Sequence, residues 1–150
     1  MNYQTVFERR FLLKKLPEPL TRASEHLQIL ENFIEKTRLC LRKIRTPHTK
    51  ENKYLLEQKF PVNEDDFSVW NLSQIYLNEA EYQTFEQLKG REIRFNRYLL
   101  VYQDKQIEID VFLNKEMSGS ILARISFETF AEMQDFETPV FAVEEVKEVR

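Results

Sequence analysis

Apolar and polar residues alternate with a period of two along much of this chain, a pattern that predicts a protein built mainly of β-strands. The clearest case is Gln106–Phe112, where three branched apolar residues alternate with Glu108 and Asp110. Side chains two positions apart lie on the same face of a strand, so this strand has one apolar face and one acidic face. The two carboxylates lie about 7 Å apart along the strand. Taken alone, such a strand could simply turn its carboxylates to water.

Three further predicted strands have the same two faces and add cations to the polar one. The ionic residues are Glu8 and Arg10 in Asn2–Leu13, Arg38 and Arg42 in Thr37–Ile44, and Glu57 and Lys59 in Tyr54–Phe60. Strands with one apolar and one ionic face can close into a barrel with an ionic interior and apolar layers outside it. We therefore predict a closed barrel whose interior carries these charges.

The rest of the chain adds more strands and two short helices. Asn78 begins a capping-box pattern that predicts a helix over Glu79–Lys89, ended by Gly90. Thr129 has the same spacing to an acidic residue and begins a second short helix. The further strands are Leu27–Glu35, Phe67–Leu77, Ile93–Tyr102, Lys105–Leu113, Ile121–Phe127 and a last strand or tail over Phe141–Val149.

Length and composition fit one domain over residues 1–150. The chain has a mass of 18.2 kDa, 42% hydrophobic and 31% charged residues, a composition typical of globular domains and not of disordered ones. The net charge of −3 gives no overall attraction to nucleic acid or to membranes, so any polyanion site must be local. We expect no nucleic-acid or membrane partner, and a homodimer stays open.

Glycine, cysteine and histidine usage excludes several kinds of site. Two glycines cannot form a phosphate-binding P-loop or a dinucleotide fingerprint. The single Cys40 cannot form an internal disulfide or a thiolate zinc site, and His26 and His48 are isolated from each other. No signal peptide or long apolar run is evident, so we expect a cytoplasmic protein.

Taken in order, these segments resemble the CYTH family, also called triphosphate tunnel metalloenzymes. The family's opening Glu-x-Glu-x-Lys motif, followed by Phe-Leu, is similar to Val6–Leu12, and its acidic strand is similar to Glu108–Phe112. Four further segments follow the family's order. They are an arginine strand at Cys40–Arg42, a strand ending in lysine at Tyr54–Lys59, a Lys-x-Arg-Tyr pattern at Phe95–Tyr98, and a closing pattern at Ile121–Phe127 with Pro139 and Glu145-Val146.

The resemblance implies a fold of the α+β class that is mainly β, an eight-stranded antiparallel tunnel with short helices. The family includes inorganic triphosphatases, thiamine triphosphatases and class IV adenylate cyclases. Its members hold a triphosphate with arginines and lysines and a divalent metal with carboxylates. The resemblance also favours a strand for Leu27–Glu35, whose apolar spacing alone favours a helix.

The same resemblance implies a set of site residues in this chain. The phosphate-binding residues would be Arg10, Arg42, Lys59 and Arg97, and the ligands of Mg²⁺ or Mn²⁺ would be Glu8, Glu108, Asp110 and Glu145. No catalytic residue can be assigned.

Several carboxylates of the family pattern are missing here. Val6 stands where the opening motif has a glutamate, and Arg124 and Ser126 stand where the closing strand has two. Mg²⁺ needs several hard oxygen ligands, and an arginine lowers the local affinity for a cation. We therefore expect a degenerate metal site that binds at most one ion, and that one weakly.

Three functions stay open. The first is binding of a triphosphate-containing small molecule or inorganic polyphosphate, with weak or no turnover. The second is an active metal-dependent triphosphatase or adenylate cyclase with a rearranged metal site, in which Glu57 could replace a missing ligand. The third is a structural or partner-binding domain whose ionic residues pair with one another.

Overall fold

The strands form one antiparallel sheet that closes into a barrel. The computed structural model describes residues 3–117 and 119–147. Within them the strands are β1 (Gln4–Leu13), β2 (Leu27–Ile34), β3 (Leu39–Thr46), β4 (Glu51–Asn63), β5 (Asp66–Leu77), β6 (Gly90–Tyr102), β7 (Lys105–Phe112), β8 (Ile121–Phe127) and β9 (Ala142–Val146). The helices are α1 (Glu79–Phe85), α2 (Phe130–Asp135) and a 3₁₀ turn at Lys115–Met117. The predicted fold, a mainly β eight-stranded barrel with short helices, is confirmed.

Strand β1 closes the barrel and also carries the one strand outside it in the described part of the chain. One edge of β1 pairs with β8 from Phe7 to Leu13. The other edge pairs with β5 over Gln4–Phe7 and then with β9 from Arg10 onward. Strand β9 is therefore an addition to the closed ring of eight, whose order is β5-β4-β3-β2-β6-β7-β8-β1.

The predicted strand boundaries agree with the structure to within a few residues. Leu27–Ile34 forms a strand, as the family resemblance predicted, although its apolar spacing alone favours a helix. The ends predicted at Asn2 and Val149 lie outside the described residues. Neither described helix is long and apolar enough to cross a membrane.

Two apolar layers cover the outside of the barrel, as the alternating pattern predicted. The larger layer includes Phe11, Ile109 and Ile125, which pack with Met133 of α2. The smaller layer lies on β2, β3 and β4 and includes Tyr82 of α1. Most strands thus bury one face without using the inside of the barrel, which leaves the inner faces available for charged residues.

Part of the barrel interior is apolar as well. One cluster consists of apolar residues an even number of positions from the ionic residues of the same strands, so they lie on the same inner face. Its buried members are Ile29, Ile93, Phe95, Phe112 and Leu122. Apolar side chains therefore fill part of the interior, and ionic side chains line the remainder.

The predicted capping box of α1 is present. The backbone N–H of Glu81 donates to Oδ1 of Asn78, and the backbone N–H of Asn78 donates to Oε1 of Glu81, both at 2.8 Å. The helix ends at Phe85 rather than at Lys89.

The prediction that Gly90 ends this helix was wrong. Gly90 is the first residue of β6, where it pairs with Ile34 of β2. A Cβ at this position would overlap Oδ1 of Asn32 and the carbonyl oxygen of Phe33. Close packing between two strands, and not a left-handed backbone, explains the glycine.

Candidate functional site

The ionic inner faces enclose a cavity of about 600 Å³ inside the barrel. Among the described residues, seven cations and four carboxylates line it. The cations are Arg10, Arg38, Arg42, Lys59, Arg91, Arg97 and Arg124, and the carboxylates are Glu8, Glu31, Glu57 and Glu108. The cavity lining is therefore positive, although the chain as a whole has a net charge of −3.

The structure brings together most of the residues that the family resemblance implied. Six of those eight line the cavity: Arg10, Arg42, Lys59, Arg97, Glu8 and Glu108. Asp110 is fully buried, next to Arg97 and Arg124. Glu145 lies apart, because β9 is outside the ring, and its carboxylate pairs with the outward-facing Arg9 at 2.8 and 2.9 Å.

One buried carboxylate is shared by three cations. Lys59 Nζ lies 2.9 Å from Oε1 of Glu8, Arg124 Nη1 lies 3.1 Å from Oε2, and Arg10 Nε lies 3.7 Å from Oε2. The Glu8 side chain is only 2% exposed. We call Glu8, Arg10, Lys59 and Arg124 the Glu8 cluster, and it carries two more positive than negative charges.

The pKa values of this cluster reflect the excess of cations. Burial alone would raise the pKa of Glu8, but Arg124 and Lys59 outweigh it, so the pKa lies below its ordinary value. Burial lowers the pKa of Arg10 and of Lys59, and the neighbouring Arg124 lowers both further, against the opposing effect of Glu8. Glu8 is thus ionised and the cations repel one another, a situation that an additional anion would relieve.

A second group places two carboxylates around one arginine. Arg42 Nε donates to Oε2 of Glu31 at 2.8 Å, and its two Nη atoms donate to both oxygens of Glu57 at 3.2 and 3.3 Å. Gln74 donates a further hydrogen bond to Glu57 at 2.8 Å. Burial would lower the pKa of Arg42, but the two carboxylates raise it above its ordinary value. Each of the three nitrogens of this guanidinium thus contacts a carboxylate.

A third group joins β6 and β7. Arg97 and Asp110 are direct cross-strand partners, and the guanidinium forks onto the carboxylate at 2.8 and 3.1 Å. Glu108 adds a contact at 3.2 Å to Nη1 of Arg97. Burial lowers the pKa of Arg97, but the hydrogen bond to Asp110 raises it above its ordinary value. Arg124 Nε lies 4.0 Å from Oδ2 of Asp110 and so links this group to the Glu8 cluster.

Four of the described lining cations lie against aromatic rings, one of them Arg97, whose Cζ lies 5.3 Å from the ring centroid of Phe95. Arg38 Cζ lies 4.1 Å from the ring centroid of Phe60, and Arg91 Cζ lies 5.4 Å from that of Phe33. Lys59 Nζ lies 4.7 Å from the ring centroid of Trp70. Arg38 and Arg91 are exposed as well as cavity-lining, so they stand at its rim.

Among the charged residues that line the cavity, sequence reasoning missed two, Glu31 and Arg91. Glu31 shares the inner face of β2 with Ile29 and Phe33, so its strand has no purely ionic face to notice. Arg91 likewise shares its face with Ile93. Arg97 lies on the inner face of β6 and pairs with Leu27 of β2, so the odd-numbered residues of both strands face inward. This alternation was the signal that could have found Glu31 and Arg91.

The carboxylates do not fit a pair of divalent metal ions in this arrangement. Across residues 3–117 and 119–147, no group of three or more His, Cys, Asp and Glu side chains is placed to hold a metal ion. Arg124 stands between Glu8 and Asp110, where its charge opposes that of a metal ion.

The sequence matches no family model and no curated protein, whereas the fold matches solved structures. The inorganic triphosphatase NE1496 is 18% identical, with a TM-score of 0.58 over 95% of this chain and 87% of that chain. A putative adenylate cyclase from Bacillus halodurans is 12% identical, with a TM-score of 0.58 over 89% and 86%. The PH1819 protein from Pyrococcus horikoshii is 14% identical, with a TM-score of 0.57 over 87% and 82%. The chain therefore has the fold of the CYTH-type triphosphate tunnel proteins.

Proposed function

We propose that this protein binds a triphosphate-type anion in the barrel cavity, with weak or no turnover. The observation that carries the proposal is the Glu8 cluster, in which three cations share one buried carboxylate. Burying several cations around one carboxylate is costly, and phosphate oxygens can add negative charge beside them. Charge-assisted hydrogen bonds from guanidinium and ammonium groups are also among the strongest in proteins.

The size and the distribution of charge favour an anion with several charged groups. The cavity of about 600 Å³ is within the range of ordinary small-molecule sites. Its cations come from five strands or their ends and surround the space instead of forming one patch. A tripolyphosphate, or the triphosphate group of a small molecule, matches this distribution better than a single phosphate. One neighbour in fold is named an inorganic triphosphatase.

The same residues argue against efficient phosphoryl transfer to water. That reaction relies on metal ions that bridge phosphate oxygens and neutralise developing charge. Here Glu8 and Asp110 are both engaged by arginines. A single Mg²⁺ or Mn²⁺ carried by the bound phosphate would meet Glu108, whose side chain is 35% exposed, more than that of any other described carboxylate lining the cavity.

An active triphosphatase or adenylate cyclase is the second candidate, and one observation favours it. Glu31 and Glu57 both line the cavity and hold only Arg42 among the cations of the described residues. A phosphate that drew Arg42 away would free two carboxylates at once. An active enzyme of this kind would require Arg42 to leave Glu31 and Glu57 for the phosphate before the two carboxylates could hold a metal ion.

Thermal unfolding with tripolyphosphate tests the proposal. At a ligand concentration a hundred times the dissociation constant, binding to the folded state adds about 2.7 kcal/mol, which raises Tm by roughly 5–10 °C for a domain of this size. The shift should be smaller in Arg124→Met and unchanged in Lys50→Ala, which alters an exposed turn. A flat melting temperature in the unaltered protein, with and without Mg²⁺, would contradict the proposal.

A further inference from the structure

Two of the cavity arginines hold no carboxylate. Within the described residues, Arg38 and Arg91 form no ion pair, whereas Arg10, Arg42, Arg97 and Arg124 each contact at least one carboxylate. Instead, the guanidinium groups of Arg38 and Arg91 lie against the rings of Phe60 and Phe33. These two side chains are therefore held in place without their charge being neutralised.

The backbone places these two arginines on either side of one strand. Arg38 directly precedes β3 and Arg91 is near the start of β6, and both strands pair with β2. Phe33 of β2 is the direct partner of Arg91 in β6 and of Cys40 in β3. Two strand spacings, about 10 Å, and an offset of two residues along β3, about 7 Å, separate the backbones of Arg38 and Arg91. Long guanidinium side chains can span that distance around one anionic group.

The rim arginines also continue a line of cations from the Glu8 cluster. Leu39 of β3 pairs with Gln58 of the antiparallel strand β4. Arg38, which precedes Leu39, is therefore a neighbour of Lys59, which follows Gln58. Lys59 reaches inward to Glu8 at 2.9 Å. Positive side chains therefore follow one another from the buried Glu8 cluster through Lys59 to Arg38 at the rim.

A guanidinium on an aromatic ring can still bind an anion. The ring contacts the flat face of the group, whereas its N–H donors point outward in the guanidinium plane. A phosphate arriving at Arg38 or Arg91 therefore breaks no ion pair. At Arg42 or Arg97 it must compete with carboxylates that already occupy the donors.

We propose that Arg38 and Arg91 form a second phosphate subsite at the rim of the cavity, so that the protein selects linear phosphate chains of three or more phosphates over shorter ones. This inference rests on the proposed function. The Glu8 cluster holds the inner end of the chain, and the rim arginines hold phosphates nearer the mouth. A pyrophosphate bound at the Glu8 cluster is too short to gain the second set of contacts.

Titration calorimetry with pyrophosphate, tripolyphosphate and tetrapolyphosphate tests the rim subsite. The double variant Arg38→Met/Arg91→Met removes both charges and keeps long apolar stems on the rings. Its matched control is Arg45→Met/Arg94→Met, which removes one exposed arginine from the outer face of each of the same two strands, β3 and β6. Both double variants remove two positive charges, so a loss of affinity caused only by the change in net charge would appear in both.

The unaltered protein should bind the longer chains more tightly than pyrophosphate. The rim variant should lose about three- to tenfold in affinity for the longer chains and keep its affinity for pyrophosphate, as expected for exposed contacts. The control should match the unaltered protein.

An equal loss for pyrophosphate, or no loss for the longer chains, would overturn the rim subsite alone. Tighter binding of ATP than of tripolyphosphate, retained in the rim variant, would overturn it as well, because it would place an aromatic group at the rim. Absence of binding by the unaltered protein would overturn the proposed function and this inference together.

Discussion

Arg124 Nη1 donates a hydrogen bond to Oε2 of Glu8 at 3.1 Å, across the paired strands β8 and β1. The same side chain lies 4.0 Å from Asp110 on β7. One arginine thus binds two of the carboxylates that the CYTH resemblance assigns to metal binding. The interior of this barrel is arranged to neutralise its own carboxylates and to keep a surplus of positive charge.

Replacement of Glu8 should have opposite effects on the free and the bound protein. Glu8→Gln leaves three cations without their shared carboxylate, so the free energy of unfolding without ligand should fall by about 3 kcal/mol. The added stability from tripolyphosphate should increase, because phosphate then replaces the lost charge. Urea unfolding with and without ligand measures both quantities.

The control for that experiment is Glu145→Gln, which removes a carboxylate paired with Arg9 outside the ring of strands. It should change the stability of the free protein and leave the effect of tripolyphosphate unchanged. Loss of the ligand effect in Glu8→Gln would show instead that Glu8 holds the ligand, directly or through a metal ion.

Phosphate release from tripolyphosphate should be absent or very slow. With Mg²⁺ or Mn²⁺ present, the rate should be far below that of the inorganic triphosphatase NE1496 measured side by side. The reason is the engagement of Glu8 and Asp110 by cations. Rapid release that disappears in a folded Asp110→Asn variant would favour the active triphosphatase instead.

Affinity for tripolyphosphate should fall as the pH rises toward the alkaline range. The pKa of Lys59 in the free protein lies below its ordinary value of 10.5, mainly because of burial. A bound anion favours the charged ammonium and raises that pKa, so binding takes up a proton once the free lysine begins to lose its own. Calorimetry across a pH series below 10.5 should show the affinity decreasing with pH. In Lys59→Arg, which keeps its charge throughout this range, the decrease should be smaller, and an unchanged pH dependence would contradict the role of Lys59.

Gly90→Ala should destabilise the protein without any direct effect on the cavity. The added methyl group would meet Oδ1 of Asn32 and the carbonyl oxygen of Phe33, both across the β2–β6 pairing. Overpacking of this kind typically costs about 1–3 kcal/mol. Denaturant unfolding measures the loss, and an unchanged midpoint would contradict the close contact.

Alternation was sufficient to predict the barrel because most strands bury an apolar outer face. In β7 the carboxylates of Glu108 and Asp110 separate cleanly from the apolar residues between them. The pattern failed where a strand is apolar on both faces, which hid Glu31 between Ile29 and Phe33 on the inner face of β2. The mainly β fold could therefore be read from the sequence more fully than the composition of the cavity.

The pairing of charges could not be predicted, because it depends on register between strands and on side-chain reach. Arg97 meets Asp110 since β6 and β7 align them directly. Glu145 follows the family's closing pattern in sequence, yet β9 pairs outside the ring and leaves it with Arg9. Motif order along the chain contains neither fact.

Titration calorimetry of tripolyphosphate in the presence of EDTA tests most directly whether the cavity binds a polyanion without a metal ion. One tripolyphosphate should bind per chain without a divalent ion, with an affinity that falls as salt screens the phosphate contacts. Arg124→Met should weaken this binding, and the outer-face variant Arg45→Met should not. No binding without a metal ion would contradict anion binding by the cations alone. If binding were also absent with Mg²⁺, the ionic residues would be a closed, salt-bridged interior in a structural or partner-binding domain.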